Sequence, residues 1–225
     1  MKSMRGESLA AADLGWHGID GDRRLALRRI GDQGGFPWLT ASRLPALLRF
    51  VPEWRGPGPL PSHVRTPEGA VLPLFGSELA ADLGRRHGTP VEMVHLNRGI
   101  FDAASISVLT EATVAAIGTL AEVPADARRY RANLVLATEA PAFAEDDWVG
   151  GVLTFGDGTA PAIAVVDHDE RCAMVNFDPD SAAASPGVLK AIVRERGNRA
   201  GVYGTVLRRG RLHVGQTVWF EPPAG

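Results

Sequence analysis

Apolar residues in this chain recur in short runs, cut by glycine, proline and charged turns rather than by long polar stretches. Residues 160–166 form a compact apolar run ending at Asp167, the pattern of a buried strand. Residues 201–207 and 212–220 flank Arg208-Arg209-Gly210-Arg211, a hairpin-like turn. Residues 64–74 enclose another turn, Thr66-Pro67-Glu68-Gly69-Ala70, between two extended pieces. Helical spacing appears three times. Leu79 and Leu83 predict a helix over 77–86, followed by Gly88. Val114, Ile117 and Leu120 predict a helix over 110–120, with Thr110 as its N-cap. Ser185 and Pro186 open a third helix over 186–196, which Gly197 ends. The Gly-Pro-Gly-Pro-Leu-Pro run at 56–61 reads as a loop, and no internal repeat is visible. A shift near residues 88–90 divides the chain into 1–88 and 89–225. The density of strands predicts a mainly β protein with helices, of α+β class, with barrel-like sheets rather than a parallel α/β sheet.

Composition narrows the chemistry. The chain has 225 residues and an ordinary hydrophobic fraction of 45%. Its 24 basic and 26 acidic residues give a formal net charge of −2, which argues against a general nucleic-acid binder. The basic residues are mostly arginine, suited to bidentate recognition of a small anion. No apolar run approaches the roughly 18–20 residues that span a bilayer. The first eight residues lack the apolar core of a signal peptide, so the expected location is cytoplasmic, without a membrane partner. One cysteine excludes an internal disulfide, a cysteine-built zinc site and an iron–sulfur cluster held by this chain alone.

Familiar catalytic signatures are missing. None of His17, His63, His87, His95, His168 and His213 pairs with another at metal-ligand spacing. There is no Gly-x-Ser-x-Gly elbow, dinucleotide fingerprint or P-loop, and Gly156-Asp157-Gly158 reads as a turn between strands. What remains is Cys172. A lone cysteine is usually a small buried hydrophobe. Against that, Arg171 is adjacent, a cation that would lower a thiol pKa, and the segment follows a strand, where sites gather. Upstream, Arg131 and Asn133 alternate on one side of an expected strand, so both could face one pocket. An arginine and an amide suit a phosphate and a heterocycle edge. Lys2-Ser3 and Arg23 supply further polar groups near the start, where a terminal pair is expected to be weakly anchored.

In this order the segments resemble the MOSC family, named after the C-terminal domain of the molybdenum cofactor sulfurase, and within it the amidoxime-reducing branch. Lys2-Ser3-Met4-Arg5-Gly6 resembles that branch's Lys-Ser-x-Arg-Gly opening, and Gly18-Ile19-Asp20-Gly21-Asp22-Arg23 its Gly-Leu-x-x-Asp-Arg. Leu39-Thr40-Ala41-Ser42-Arg43-Leu44-Pro45 is similar to its Thr-x-Arg-x-x-Pro region, with different spacing. Phe101-Asp102 with Ile106-Ser107-Val108-Leu109-Thr110 looks like the start of the MOSC domain. Arg131-Ala132-Asn133 is similar to its Arg-Pro-Asn, alanine standing for proline. Phe143 with Glu145-Asp146-Asp147-Trp148 fits its acidic-tryptophan segment, and Arg171-Cys172-Ala173-Met174 with Asp178-Pro179 its cysteine motif. The closing Gly210-Arg211-Leu212-His213-Val214-Gly215-Gln216 resembles its Gly-x-Ile-x-Val-Gly-Asp.

The resemblance implies a small β-barrel-like domain over 1–88, a MOSC β-barrel domain over 89–225, and a site for the molybdenum cofactor (molybdopterin). It implies Cys172 as metal ligand, Lys2, Ser3, Arg23, Arg131 and Asn133 as holders of pterin and phosphate, and Arg171 as a further support for the anionic cofactor. Asp102 would be catalytic, near the open face of the metal. Three functions follow as expectations. One is reduction of N-hydroxylated small molecules with electrons from a separate ferredoxin- or flavoprotein-type donor, since no ferredoxin-like extension follows Gly225. The second is sulfur transfer or carbon–sulfur chemistry on Cys172, as nucleophile or persulfide carrier. The third is a carrier that binds the cofactor without turnover.

Overall fold

The computed structural model describes residues 1–58 and 60–223. Its strands, in chain order, are β1 (Ala11–Gly15), β2 (Gly18–Ile19), β3 (Leu25–Arg29), β4 (Trp38–Leu39), β5 (Val51–Glu53), β6 (His63–Arg65), β7 (Val71–Pro73) and β8 (Val91–His95). They continue with β9 (Ile106–Thr110), β10 (Leu134–Leu136), β11 (Val152–Thr154), β12 (Ala162–Glu170), β13 (Arg199–Arg208), β14 (Gly210–His213) and β15 (Trp219–Glu221). Three α-helices accompany them: α1 (Ser77–His87), α2 (Glu111–Ala121) and α3 (Gly187–Arg196). The class is α+β, mostly strand, as the short apolar runs predict.

The chain forms two compact units, each built from separated segments. The first comprises 1–7, 21–100 and 177–183, and the second 8–20, 101–176 and 184–225. They do not follow a single cut at residue 88. Strand β8 lies beyond that cut but pairs along its whole length with β3, from Leu25↔His95 to Arg29↔Val91, and so belongs to the first unit.

In the first unit β4, β3 and β8 form one antiparallel sheet, and β5, β6 and β7 another. The turn read at 66–70 joins β6 to β7, with Arg65 opposite Val71. Helix α1 buries Leu79 and Leu83, the two residues that predicted it, and closes on Gly88 in the left-handed conformation. The core collects Met4, Leu25, Leu27, Leu39, Leu47, Phe50 and Val64. Within the loop read at 56–61, Pro59 lies outside the described residues.

In the second unit a curled six-stranded sheet runs in the order β10-β9-β13-β12-β11-β15, and β14-β1-β2 form a smaller sheet. Strand β9 is buried at every position, because both faces are covered. Ile106 and Val108 join a core of Leu14, Leu153, Phe155, Ile163, Val165, Val202 and Leu212. Leu109 faces the other way, into Val114, Ile117, Tyr130, Val188 and Ile192. Thr110 caps α2 as expected, its hydroxyl accepting from the Thr113 N–H at 3.2 Å. Helix α3 begins one residue later than predicted: Pro186 is its N-cap, and Ser185 contributes its backbone carbonyl to the Val188 N–H at 3.1 Å rather than a capping hydroxyl. The hairpin expected over 201–220 does not form: β13 pairs with β12 and β9, β14 crosses into the smaller sheet to pair with β1, and β15 pairs with β11.

Candidate functional site

Strand β12 sets the position of the thiol. Its apolar half ends at Val165, but the strand continues through Asp167-His168-Asp169-Glu170, a stretch that the sequence presents as a polar turn. Two register shifts against β13 explain this. They fall between Val165 and Asp167 and between His168 and Glu170. A bulge of this kind changes the phase of side-chain alternation. Val166 and Asp167 face outward, and Asp169 turns inward. Cys172 follows two residues after the strand ends, exposed at the start of a 3-10 turn, with its carbonyl accepting from the Val175 N–H at 3.3 Å. It is not the small buried hydrophobe that its rarity would suggest.

Arg171 points the other way. Its Nε donates to the Ala200 carbonyl at 2.7 Å and its Nη1 to the Tyr130 carbonyl at 3.0 Å. Its Nη2 is 2.9 Å from Asp169 Oδ2, in a pair whose side chains are 5% and 2% exposed. The guanidinium also covers the Tyr130 ring, 5.5 Å from its centroid. Arg171, which the resemblance makes a support for an anionic cofactor, thus has Nε and Nη1 on backbone carbonyls and Nη2 in an ion pair with Asp169, a buried counter-charge.

Asp169 is a junction. It accepts from Ser107 Oγ at 2.6 Å and from the Tyr203 phenol. Ser107 in turn receives Asn133: its N–H donates to Asn133 Oδ1 at 3.1 Å, and the Asn133 N–H donates to its carbonyl at 2.8 Å. Burial, then the carboxylates of Asp169 and Asp102, hold Tyr203 in its protonated form well above the usual phenol range. Asp102 itself is exposed. Burial likewise pushes Tyr130 up to about 12.

Arg131 and Asn133 do not alternate on a strand. Arg131 closes the 3-10 turn Ala127–Tyr130 in the left-handed conformation, at φ 53°, and strand β10 begins only at Leu134. Three of the seven non-glycine residues with left-handed φ among the described residues are Ser3 (63°), Arg23 (48°) and Arg131 (53°). Each is a residue the resemblance assigns to the cofactor. Such conformations cost about 1 kcal/mol or more each and gather at ligand-binding positions.

The first unit brings Lys2 and Arg23 together around one residue. Lys2 Nζ donates to the Ile100 carbonyl at 3.0 Å, and the Ile100 N–H donates to the Arg23 carbonyl at 3.0 Å. The terminus is firmly held, contrary to the expectation for a terminal pair. The Lys2 N–H bonds the Leu25 carbonyl at 2.8 Å, Met4 is fully buried, and the Arg5 N–H bonds the Phe50 carbonyl at 3.0 Å. Arg23 is ion-paired with Asp22.

The acidic-tryptophan segment forms a 3-10 turn, Ala144–Trp148, whose Glu145 is wholly buried. Its carboxylate accepts from the Thr110 N–H at 3.2 Å, Thr110 Oγ1 at 3.0 Å and Thr113 Oγ1 at 2.9 Å, closing the N-terminus of α2. A hollow of about 380 Å³ beside α3, lined by Asn176, Leu189, Lys190 and Val193, contains none of the predicted site residues. Among the described residues, no three His, Cys, Asp or Glu side chains converge as a metal-binding set. No described helix is long and apolar enough to cross a membrane.

The molecule is thus a strand-rich α+β protein with an exposed thiol at a strand end, backed by a buried ion pair. Residues 84–219 match the sequence profile of the MOSC domain, and the chain belongs to the MOSC domain family. It is similar in fold to the crystal structure of the YuaD protein from Bacillus subtilis, at TM-score 0.50 and 14% identity over 99% of this chain and 93% of that one. YiiM from Geobacillus stearothermophilus is 20% identical over 52% of this chain and 54% of its own, at TM-score 0.41. Among curated proteins none matches the chain.

Proposed function

We propose that this protein binds the molybdenum cofactor and, as in the amidoxime-reducing branch it resembles, reduces N-hydroxylated small molecules with electrons from a separate ferredoxin- or flavoprotein-type donor. The observation that carries the reading is the setting of Cys172: an exposed soft donor at a strand end, with no set of three metal ligands anywhere among the described residues. A metal held there must arrive with most of its ligands already attached, which is what a pterin carrying its own dithiolene provides.

The donor set fits that group. Cys172 would supply the one protein thiolate. Arg131, held rigidly in a left-handed turn, would face the phosphate, with Asn133 beside the pterin. Lys2, Ser3 and Arg23 are assigned to the same cofactor on the resemblance alone. Bound there, the cofactor would supply two-electron redox chemistry. The substrate loses its hydroxyl oxygen as water and takes up two protons. Asp102, exposed and within electrostatic reach of the Tyr203 phenol, would hold one of them.

The test is to express the chain in a host that makes the cofactor. Bound molybdenum and pterin are then measured, with turnover of an N-hydroxy amidine using reduced viologen as electron source. The wild type is expected to carry both and to turn over, and Cys172→Ser to lose turnover by about 100-fold or more. Absence of molybdenum, with N-reduction unchanged in Cys172→Ser, overturns the proposal. A persulfide on Cys172 by intact mass, formed from a sulfur donor in protein without molybdenum, would replace it with the sulfur-transfer reading.

A further inference from the structure

We infer that Asp169, Arg171 and Ser107 form an internal strut that fixes Cys172 relative to Arg131 and Asn133, so that Arg171 is a positioning residue rather than a ligand. This rests on the reading above that those residues serve one bound group.

The strut is continuous. Arg171 is the chain neighbour of Cys172, and its Nη1 holds the carbonyl of Tyr130, the chain neighbour of Arg131. Its Nη2 meets Asp169, which takes the Ser107 hydroxyl, and the Ser107 backbone exchanges bonds with Asn133 in both directions. Cys172 and Asn133 are therefore one covalent or hydrogen-bonded step from a member of the chain Arg171–Asp169–Ser107, and Arg131 is two, through Tyr130. A planar guanidinium with a fixed fork of donors can set angles as well as distances, which an ammonium cannot.

Stability is a poor account of this arrangement. A buried ion pair seldom recovers its desolvation, and apolar replacements often serve as well or better. The backbone is also shaped for it. One register shift of β12 against β13 falls at Asp169 itself, between His168 and Glu170, and Asp169 is buried there. Gly201 on β13 has φ 85°, and a Cβ there would lie 2.5 Å from the Val108 carbonyl and 3.0 Å from Arg171 Nη2. The Val108 carbonyl and the positive φ demand glycine there, and the guanidinium packs into the space this leaves.

The experiment compares Asp169→Asn, Arg171→Lys, the double variant and Ser107→Ala, with Arg211→Ala, which removes an exposed ion pair to Asp13, as control. Two readouts are taken beside the melting temperature: the alkylation rate of Cys172 by iodoacetamide in cofactor-free protein, and cofactor retained after gel filtration. Asp169→Asn and Arg171→Lys are each expected to cost about tenfold in retained cofactor and to change the alkylation rate. The double variant should be no worse than either single one, because the pair acts as a unit. Ser107→Ala, which deletes a single hydroxyl, should show a smaller effect of the same kind and covers the case in which Asp169→Asn fails to fold. Arg211→Ala should change nothing. Folded variants with wild-type alkylation and retention overturn the strut. If wild type binds no cofactor while alkylation still responds to Asp169 and Arg171 non-additively, the strut stands and the cofactor reading falls.

Discussion

The two units hold their candidate residues by opposite means. In the first, Lys2 and Ser3 are carried by an extended segment fastened through backbone hydrogen bonds to Leu25 and Phe50 and through the wholly buried side chain of Met4. In the second, Cys172, Arg131 and Asn133 hang from buried polar groups, with Arg171, Asp169 and Ser107 on one side of the sheet and Glu145 with Thr110 and Thr113 at the foot of α2. An apolar anchor fixes where a segment lies but tolerates small rotations. A hydrogen-bonded anchor fixes direction too, and fails abruptly when one partner is lost. The first should degrade in proportion to the volume removed, the second in steps.

The sharpest break of this contrast is Glu145→Ala. It leaves the Thr113 hydroxyl proton and the Thr110 N–H without their buried acceptor, and should destabilise the second unit by about 4 kcal/mol in denaturant unfolding. Hydrogen exchange should rise first in α2 and β9, and a loss below 1 kcal/mol would count against the buried network. Met4→Ala comes next, at about 3 kcal/mol, with exchange rising in β3 and not in α2. Met4→Leu should restore most of it, since only packing is asked of that side chain. The smallest effect is a pH response. Tyr130 is raised by burial from 10.0 to about 12, so the folded chain favours the neutral phenol. The stability this contributes is complete below pH 10 and is lost as pH climbs toward 12. Tyr130→Phe should flatten part of the alkaline fall in melting temperature. The remainder belongs to Tyr203, whose pKa is raised in the same direction. An unchanged alkaline slope in the double phenylalanine variant would sink the assignment.

The helices and most strands were legible because their signals are local. Leu79 and Leu83, the Thr110 cap and the turn at 66–70 each announce themselves within a few residues. The burial of Asp169 was not, because it sits in the run Asp167-His168-Asp169-Glu170, which reads as a polar turn although β12 continues through it. The roles of Ser107 and Glu145 were hidden for a different reason. Their partners lie 62 and 35 residues away, and nothing in the neighbourhood of a serine or glutamate distinguishes a buried one from an exposed one. Arg171 was legible as important through its place beside Cys172, but not in which direction it points. The discontinuity of the two units could not be read from composition, which changes near residue 88 although the pairing of β8 with β3 carries the first unit onward to Ile100.

The pairing of β1 with β14 has a consequence in time. Ala11 lies opposite His213 and Leu14 opposite Gly210, so the first strand completes its ladder with residues made about 200 positions later. Until those residues leave the ribosome, β1 has only the two-residue strand β2 beside it, and Leu14 lacks Leu212 in its core. Closing a loop of that length is slow, and contacts this remote in sequence slow folding more than they weaken the product. A chain halted before residue 210 would therefore carry an unfinished sheet edge, a state for a chaperone to guard rather than a smaller working protein.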